Sequence, residues 1–140
     1  MSKLHDRTEI TRAERVFYSD FFTDFSRHAI TGELNKKTNE DSVKQSLRNL
    51  LLTNKYERLF HPEIGSGLSG MLFENATTQT QLNLETYVEN VFTNYETRAI
   101  LLGVAVNVKH DQNTMDVTIR FRLINSAEPL TLNLILERKR

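Results

Sequence analysis

The clearest periodicity lies in the last third of the chain. Val104, Val106 and Val108 alternate with Ala105, Asn107 and Lys109. A turn, Asp111-Gln112-Asn113-Thr114, follows. Met115, Val117, Ile119, Phe121 and Leu123 then alternate with Asp116, Thr118, Arg120 and Arg122. After Asn125 to Pro129, Leu130, Leu132, Leu134 and Leu136 repeat the pattern. Residues two apart on a strand share a face, so three such runs with short connections predict an antiparallel meander with one dry face. Two stretches of helical period can cover that face. Val43, Leu47, Leu50 and Leu51 predict a helix over about 39–53, capped by Thr38 with Asp41 and stopped at Asn54. Leu84, Val88, Val91, Phe92 and Tyr95 predict a second helix, opened by a Thr78–Gln81 capping box, with Glu85 and Glu89 on its solvated side. The sum is an α+β, two-layer domain: two helices packed on a mainly antiparallel sheet that ends in a three-strand meander.

Between the helices runs Glu57 to Asn75, which holds Pro62 and three of the five glycines, Gly65, Gly67 and Gly70. Leu59, Phe60, Ile64, Leu68, Met71, Leu72 and Phe73 favour burial there, while the glycines oppose a continuous helix. The expectation is a buried, irregular connection. Phe17, Phe21 and Phe25 recur every four residues within a stretch whose aromatic content predicts a strand in part, packed on the chain's own core or anchoring another chain. Residues 26–38 form a polar loop. Residues 1–16 lack a sustained period and are expected to be an arm, with residues 17–140 as a single domain.

Composition narrows the function. Among 140 residues, 18 Lys plus Arg balance 18 Asp plus Glu, so the basic excess of a general nucleic-acid binder is missing. There is no cysteine, which excludes disulfides, thiol catalysis and Cys-based zinc sites. No apolar run has the length of a membrane-spanning helix, and Met-Ser-Lys-Leu-His-Asp-Arg lacks the apolar core of a signal peptide, so a soluble intracellular product is expected. His5, His28, His61 and His110 lie too far apart to suggest a metal site. Gly65-Ser66-Gly67 lacks the Lys and Ser/Thr of a phosphate loop. No cofactor is expected. Glu57, Glu63, Glu74 and Glu96 are candidates for a glycosidase pair by position only.

Glu96-Thr97-Arg98 stands where the second helix should end and the first long strand begin. In an extended segment Glu96 and Arg98 point the same way, presenting a carboxylate and a planar guanidinium to another chain. The alternative is an ordinary intramolecular ion pair. Read as a partner site, the pair should contribute little to the fold.

Several stretches, in order and spacing, resemble the small baseplate wedge proteins of contractile-tailed phages, a family that includes the sheath-initiating baseplate subunit of type VI secretion systems. They are Tyr18-Ser-Asp, Asp41-Ser-Val-Lys-Gln-Ser-Leu-Arg-Asn-Leu-Leu-Leu-Thr, Glu57-Arg-Leu-Phe-His-Pro-Glu-Ile-Gly-Ser-Gly-Leu, Leu72-Phe-Glu-Asn and Asn94-Tyr-Glu-Thr-Arg. The family pattern at the last site is Glu-Pro-Arg, and Thr97 replaces the proline. The resemblance implies a non-enzymatic structural subunit that links wedge proteins to the tail sheath and templates its first ring. It places the protein in the virion tail baseplate, and in host cytoplasm during assembly. Glu96 and Arg98 then hold the helical core bundle of larger wedge subunits, with Arg58 as a further partner contact. The sheath protein is the second partner, reached through the last strand. That strand has Thr131, Asn133 and Ile135 facing outward, and it carries no Pro, bulge or inward charge between Leu130 and Leu136. Asn133 and Ile135 are its candidate contacts, unless the strand is simply paired within the domain or covered by the Phe17–Phe25 segment. No nucleic acid or membrane is implied as a partner. Some members carry a lysozyme description, so a peptidoglycan-cleaving glycoside hydrolase is the alternative, beside the secretion-system homologue.

Overall fold

A computed structural model describes residues 15–71, 77–109 and 114–137. Its elements are β1 (Ser19–Phe21), β2 (Lys36–Thr38), α1 (Asn39–Leu52), the single turn α2 (Leu68–Met71), α3 (Thr78–Tyr95), β3 (Ala99–Lys109), β4 (Thr114–Leu123) and β5 (Pro129–Glu137). β3, β4 and β5 form the antiparallel meander in that order, and β1 pairs with β2 in a separate ribbon. This is the two-layer α+β domain that the periodicities predict. Val106, Val117 and Leu134 stand side by side on the dry face, as do Val108, Met115 and Leu136. Val43, Leu47 and Leu51 of α1 and Leu84, Val88, Val91 and Phe92 of α3 complete one core with them. The strands read as expected because each alternation keeps one register along the sheet. The one break lies between Leu101 and Gly103, where β3 shifts register against β4.

Both helix starts differ from the sequence reading. Thr38 is the N-cap of α1, but its side chain makes no cap hydrogen bond. At α3 the cap falls one residue earlier than expected: Thr77, not Thr78, accepts from the backbone N–H of Thr80 at 3.2 Å. The solvated position expected for Glu85 is also corrected. Its carboxylate turns back to the sheet and accepts from the backbone N–H of Val106 at 3.2 Å.

The aromatic segment does not pack the core. Phe17, Phe21 and Phe25 are all exposed, and only Tyr18 packs against the buried cluster. Strand alternation explains this, because Tyr18 and Asp20 take the inward face of β1 and leave Phe17 and Phe21 outside. Cations lie over the exposed rings instead, Arg15 over Phe17 and Lys36 over Phe21. Asn39 anchors the segment. It holds a positive φ of 45°, its side-chain oxygen accepts from Phe17 N–H at 2.8 Å, and its amide donates to the Arg15 carbonyl at 3.1 Å. The expected arm, residues 1–16, lies almost wholly outside the described residues.

The connection between α1 and α3 is only partly the buried one expected. Leu68 is buried and Met71 packs on the core, but Tyr56, Leu59 and Phe60 are 83%, 85% and 92% exposed. Leu72 and Phe73 lie outside the described residues. The loop is pinned at its base. Ser66 N–H donates to Thr53 O at 2.6 Å, and the Ser66 hydroxyl donates to the Leu51 carbonyl. Gly65 is required there: at φ +146° its missing Cβ would sit 2.7 Å from the Asn54 carbonyl oxygen. The Glu57 carboxylate closes the loop's first turn on Asn54, accepting from its backbone N–H at 2.8 Å and its side-chain amide at 2.7 Å.

Candidate partner-binding site

Glu96 ends α3. Its backbone N–H still bonds to Phe92 O, while its φ and ψ have left the helix. Residues 96–98 then make a turn rather than an extended segment, and β3 starts at Ala99. Glu96 and Arg98 therefore meet by folding back, not by strand alternation. The Glu96 side chain is 2% exposed, and both its oxygens bind Arg98, Oε1 to Nε at 2.8 Å and Oε2 to Nη2 at 2.9 Å. Oε1 also accepts from the Arg98 backbone N–H at 3.3 Å. This planar, two-bond pairing is the strong form of the interaction.

The cluster extends to β1 and α1. Arg98 Nη1 reaches Asp20 Oδ2 at 3.3 Å, and the same oxygen accepts from the buried Ser42 hydroxyl at 2.7 Å. The guanidinium also lies over the Tyr18 ring, 5.8 Å from its centroid. Its pKa is driven up from the ordinary arginine value, first by the hydrogen bonds to Glu96, against the opposing effect of burial. A buried carboxylate whose charge is answered, among the described residues, by Arg98 alone cannot be a bystander in folding. The expectation that this pair contributes little to the fold is corrected on that ground. Arg98 still faces out: its side chain is 27% exposed. Among the described residues, Glu96 and Asp20 take three of its five side-chain N–H groups and leave two.

Arg58 is exposed and lines a cleft of about 360 Å³ together with Asp20, Gln45, Asn49, Ile64 and Tyr95. Asp20 is thus common to the cleft and to the Arg98 cluster, and it brings two residues forty positions apart in sequence onto one side of the molecule. Tyr95 ties the helix to the loop, its hydroxyl donating to Glu63 O at 2.9 Å. The sequence reading missed Asp20 and Ser42. Tyr18-Ser-Asp contributed to the resemblance, but nothing in its spacing pointed to Arg98.

Asn133 and Ile135 occupy a different surface. Both are exposed, with Thr131, on the face of β5 away from the helices, while Leu134 and Leu136 are buried. Among the described residues β5 is paired on one side only, and the Phe17–Phe25 segment pairs with β2 instead of covering it. The Glu85 bond fixes the phase of the sheet. Since Val106 N–H points away from β4, Val106 and Val117 are a non-hydrogen-bonded pair, and Val117 bonds across to Leu134. The backbone groups of Thr131, Asn133, Ile135 and Glu137 then point off the edge of the sheet. Pro129 falls in the same set, so its missing N–H is lost where no ladder bond is needed.

The carboxylates considered for glycoside hydrolysis sit in different settings, Glu96 buried against Arg98 and Glu57 turned onto Asn54. Glu57 and Glu63 are exposed, and both pKa values are lowered. The Asn54 side-chain hydrogen bond is the main cause at Glu57, and a backbone hydrogen bond at Glu63. Glu74 lies outside the described residues. No group of three or more potential metal ligands occurs among the described residues.

The family of baseplate wedge protein gp25 matches residues 37–128. Baseplate wedge protein gp25 of Enterobacteria phage T4 is 39% identical over 89 residues, 64% of this chain and 67% of that one. Among solved structures, a protein named a tail lysozyme from Geobacter sulfurreducens aligns at 24% identity and a TM-score of 0.66, over 72% of this chain and 92% of the other. A chain of the anti-feeding prophage baseplate aligns at 20% identity and a TM-score of 0.61, over 84% and 83%. At these identities the two structures share the fold.

Proposed function

We propose, for a chain that belongs to the baseplate wedge protein gp25 family, that it joins the wedge to a contractile sheath and starts the first sheath ring at the edge of β5. Membership carries a structural role in a phage tail baseplate. The link to the sheath is our reading, and the phase of β5 supports it most. An incoming strand needs a row of unpaired backbone donors and acceptors, and Thr131, Asn133, Ile135 and Glu137 supply one beside an exposed Ile135. Edge strands of this length are usually blunted by a proline, bulge or charge, and Pro129 and Glu137 stand only at its two ends.

The second contact in this reading is with the helical bundle of larger wedge subunits. Arg98 offers its two remaining N–H groups, and Arg58 lies beside the cleft that shares Asp20. The last carbonyls of a partner helix, or a carboxylate, are the acceptors that suit them. Glu96 contributes by aiming Arg98 and does not itself reach a partner. The domain in this scheme is residues 17–140, with residues 1–16 as an arm, and it folds in host cytoplasm before joining the tail.

The role is non-enzymatic. A glycosidase of the usual kind keeps one carboxyl protonated as general acid by raising its pKa. Glu57 and Glu63 are shifted the opposite way, and Glu96 is held as an ion pair. The test is Asn133→Pro, which removes a backbone N–H on the outward side. Wedges and baseplates containing the variant are expected to assemble, while sheath polymerisation on them stops, as seen by electron microscopy. Normal sheath growth on baseplates shown to contain the folded variant would overturn the proposal.

A further inference from the structure

The meander has two outer strands, β3 and β5, and they are not equivalent. β5 carries a row of outward backbone groups that no described residue pairs with. On β3 the matching row is Val104, Val106 and Val108, and its middle N–H is taken by Glu85 of α3 at 3.2 Å. Directly before this row, the register of β3 against β4 breaks between Leu101 and Gly103. A charged acceptor on a backbone donor is stronger than a neutral ladder bond, so an incoming strand would have to displace it and desolvate the carboxylate.

We infer that Glu85 is a specificity-determining residue that closes the β3 edge, so that the sheet takes a partner strand along β5 alone. The inference rests on the strand-addition reading of β5 for its purpose, but not for its chemistry. A subunit that starts a polymer must present one accepting edge. With two, a second copy of this chain could pair β3 to β3 around a twofold axis, because Val104, Val106 and Val108 would meet their own copies in antiparallel register. Nothing in the helix requires a carboxylate at Glu85: Leu84 and Val88 of α3 fill the core, and Glu85 lies beside them at partial exposure.

The experiment compares the wild-type chain with Glu85→Ala and Glu85→Gln. All three are first checked for sheet and helix content by circular dichroism. Self-association is then followed by light scattering over a concentration series, and amide exchange locates any contact. Glu85→Ala is expected to dimerise at a concentration at least about tenfold lower than wild type, with new protection confined to residues 104–108. Glu85→Gln keeps a carbonyl acceptor for Val106 N–H but loses the charge, and is expected to associate more than wild type and less than Glu85→Ala. An alanine variant that is folded and associates no more than wild type overturns the inference. So does new protection confined to residues 131–137, or a glutamine variant that associates more readily than alanine. Should Glu85→Ala not fold, Glu85→Ser replaces it, and the same outcomes decide. None of these readouts involves a sheath. Failure here therefore leaves the β5 proposal standing, and failure of Asn133→Pro to stop sheath growth leaves the β3 result standing.

Discussion

The corner at residues 96–98 and the loop at residues 55–64 reverse the usual assignment of polar and apolar groups. At the corner, Glu96 is only 3% exposed. In the loop, Phe60 is 92% exposed and Leu59 85%. Each exception has a local cause. Glu96 can be buried because Arg98 answers both of its oxygens and Asp20 answers Arg98 in turn. Phe60 and Tyr56 are held outside because the backbone places them there, at φ of 72° and 70°. Non-glycine residues rarely adopt that conformation unless the surroundings impose it. The pinned base of the loop imposes it here. Polarity sets a default, and hydrogen-bond partners and chain geometry decide the outcome.

The contrast is broken most strongly at the corner. Arg98→Ala leaves Glu96 buried without its counter-charge, and chemical denaturation is expected to show a loss of about 3 kcal/mol. The estimate sits at the low end for such a deletion because the guanidinium is partly exposed. Arg98→Lys should recover part of the loss but not the two-bond pairing. The loop is broken from its base. Gly65→Ala forces a Cβ against the Asn54 carbonyl in a conformation closed to alanine, with an expected cost of about 2 kcal/mol in the same measurement. The smallest effect is expected from Phe60→Ser. It should change stability by less than about 0.5 kcal/mol, because the ring is in water already. A loss comparable to that of Arg98→Ala would show that the exposed ring is part of the core after all, and the comparison would fail.

What was legible in the sequence follows from the same logic. Alternation from Val104 to Leu136 and the stripes on the two helices depend only on which face is dry, and one face is dry throughout. The two helices and the last two strands appear close to their expected ends, while β3 already begins at Ala99, ahead of the alternation that starts at Val104. Aromatic content favours burial of Phe17, Phe21 and Phe25 in the core, the first of the two placements open to them, and all three lie outside it. Their orientation is set by Asn39 and Asp20, whose partners are remote in sequence. Leu59 and Phe60 misled for a related reason: a loop closed at Asn54 and Gly65 has no interior of its own. At the site, Glu96 and Arg98 were legible as a pair, but the turn that joins them, and their contact with Asp20, were not. No spacing in a single chain connects position 20 to position 98. The helical stripe predicts a solvated Glu85 because it gives a direction around the axis, and not that the edge of a strand lies within reach.

The order of elements along the chain has a consequence for synthesis. The apolar stripes of α1 and α3 leave the ribosome before any residue of the sheet that covers them, since β3 begins only at Ala99. Until Leu134 and Leu136 have emerged, Val43, Leu47, Leu84 and Val88 have no complete surface to close against. The domain therefore cannot seal its core stepwise from the N-terminus. It must hold two amphipathic helices open and close around them late, when the meander arrives as one hairpin after another. During that interval a nascent chain exposes its leucines to whatever else is being made nearby. A truncated product that stops after α3 would keep the stripes and lose their cover, and it would be a substrate for chaperones rather than a smaller version of the protein.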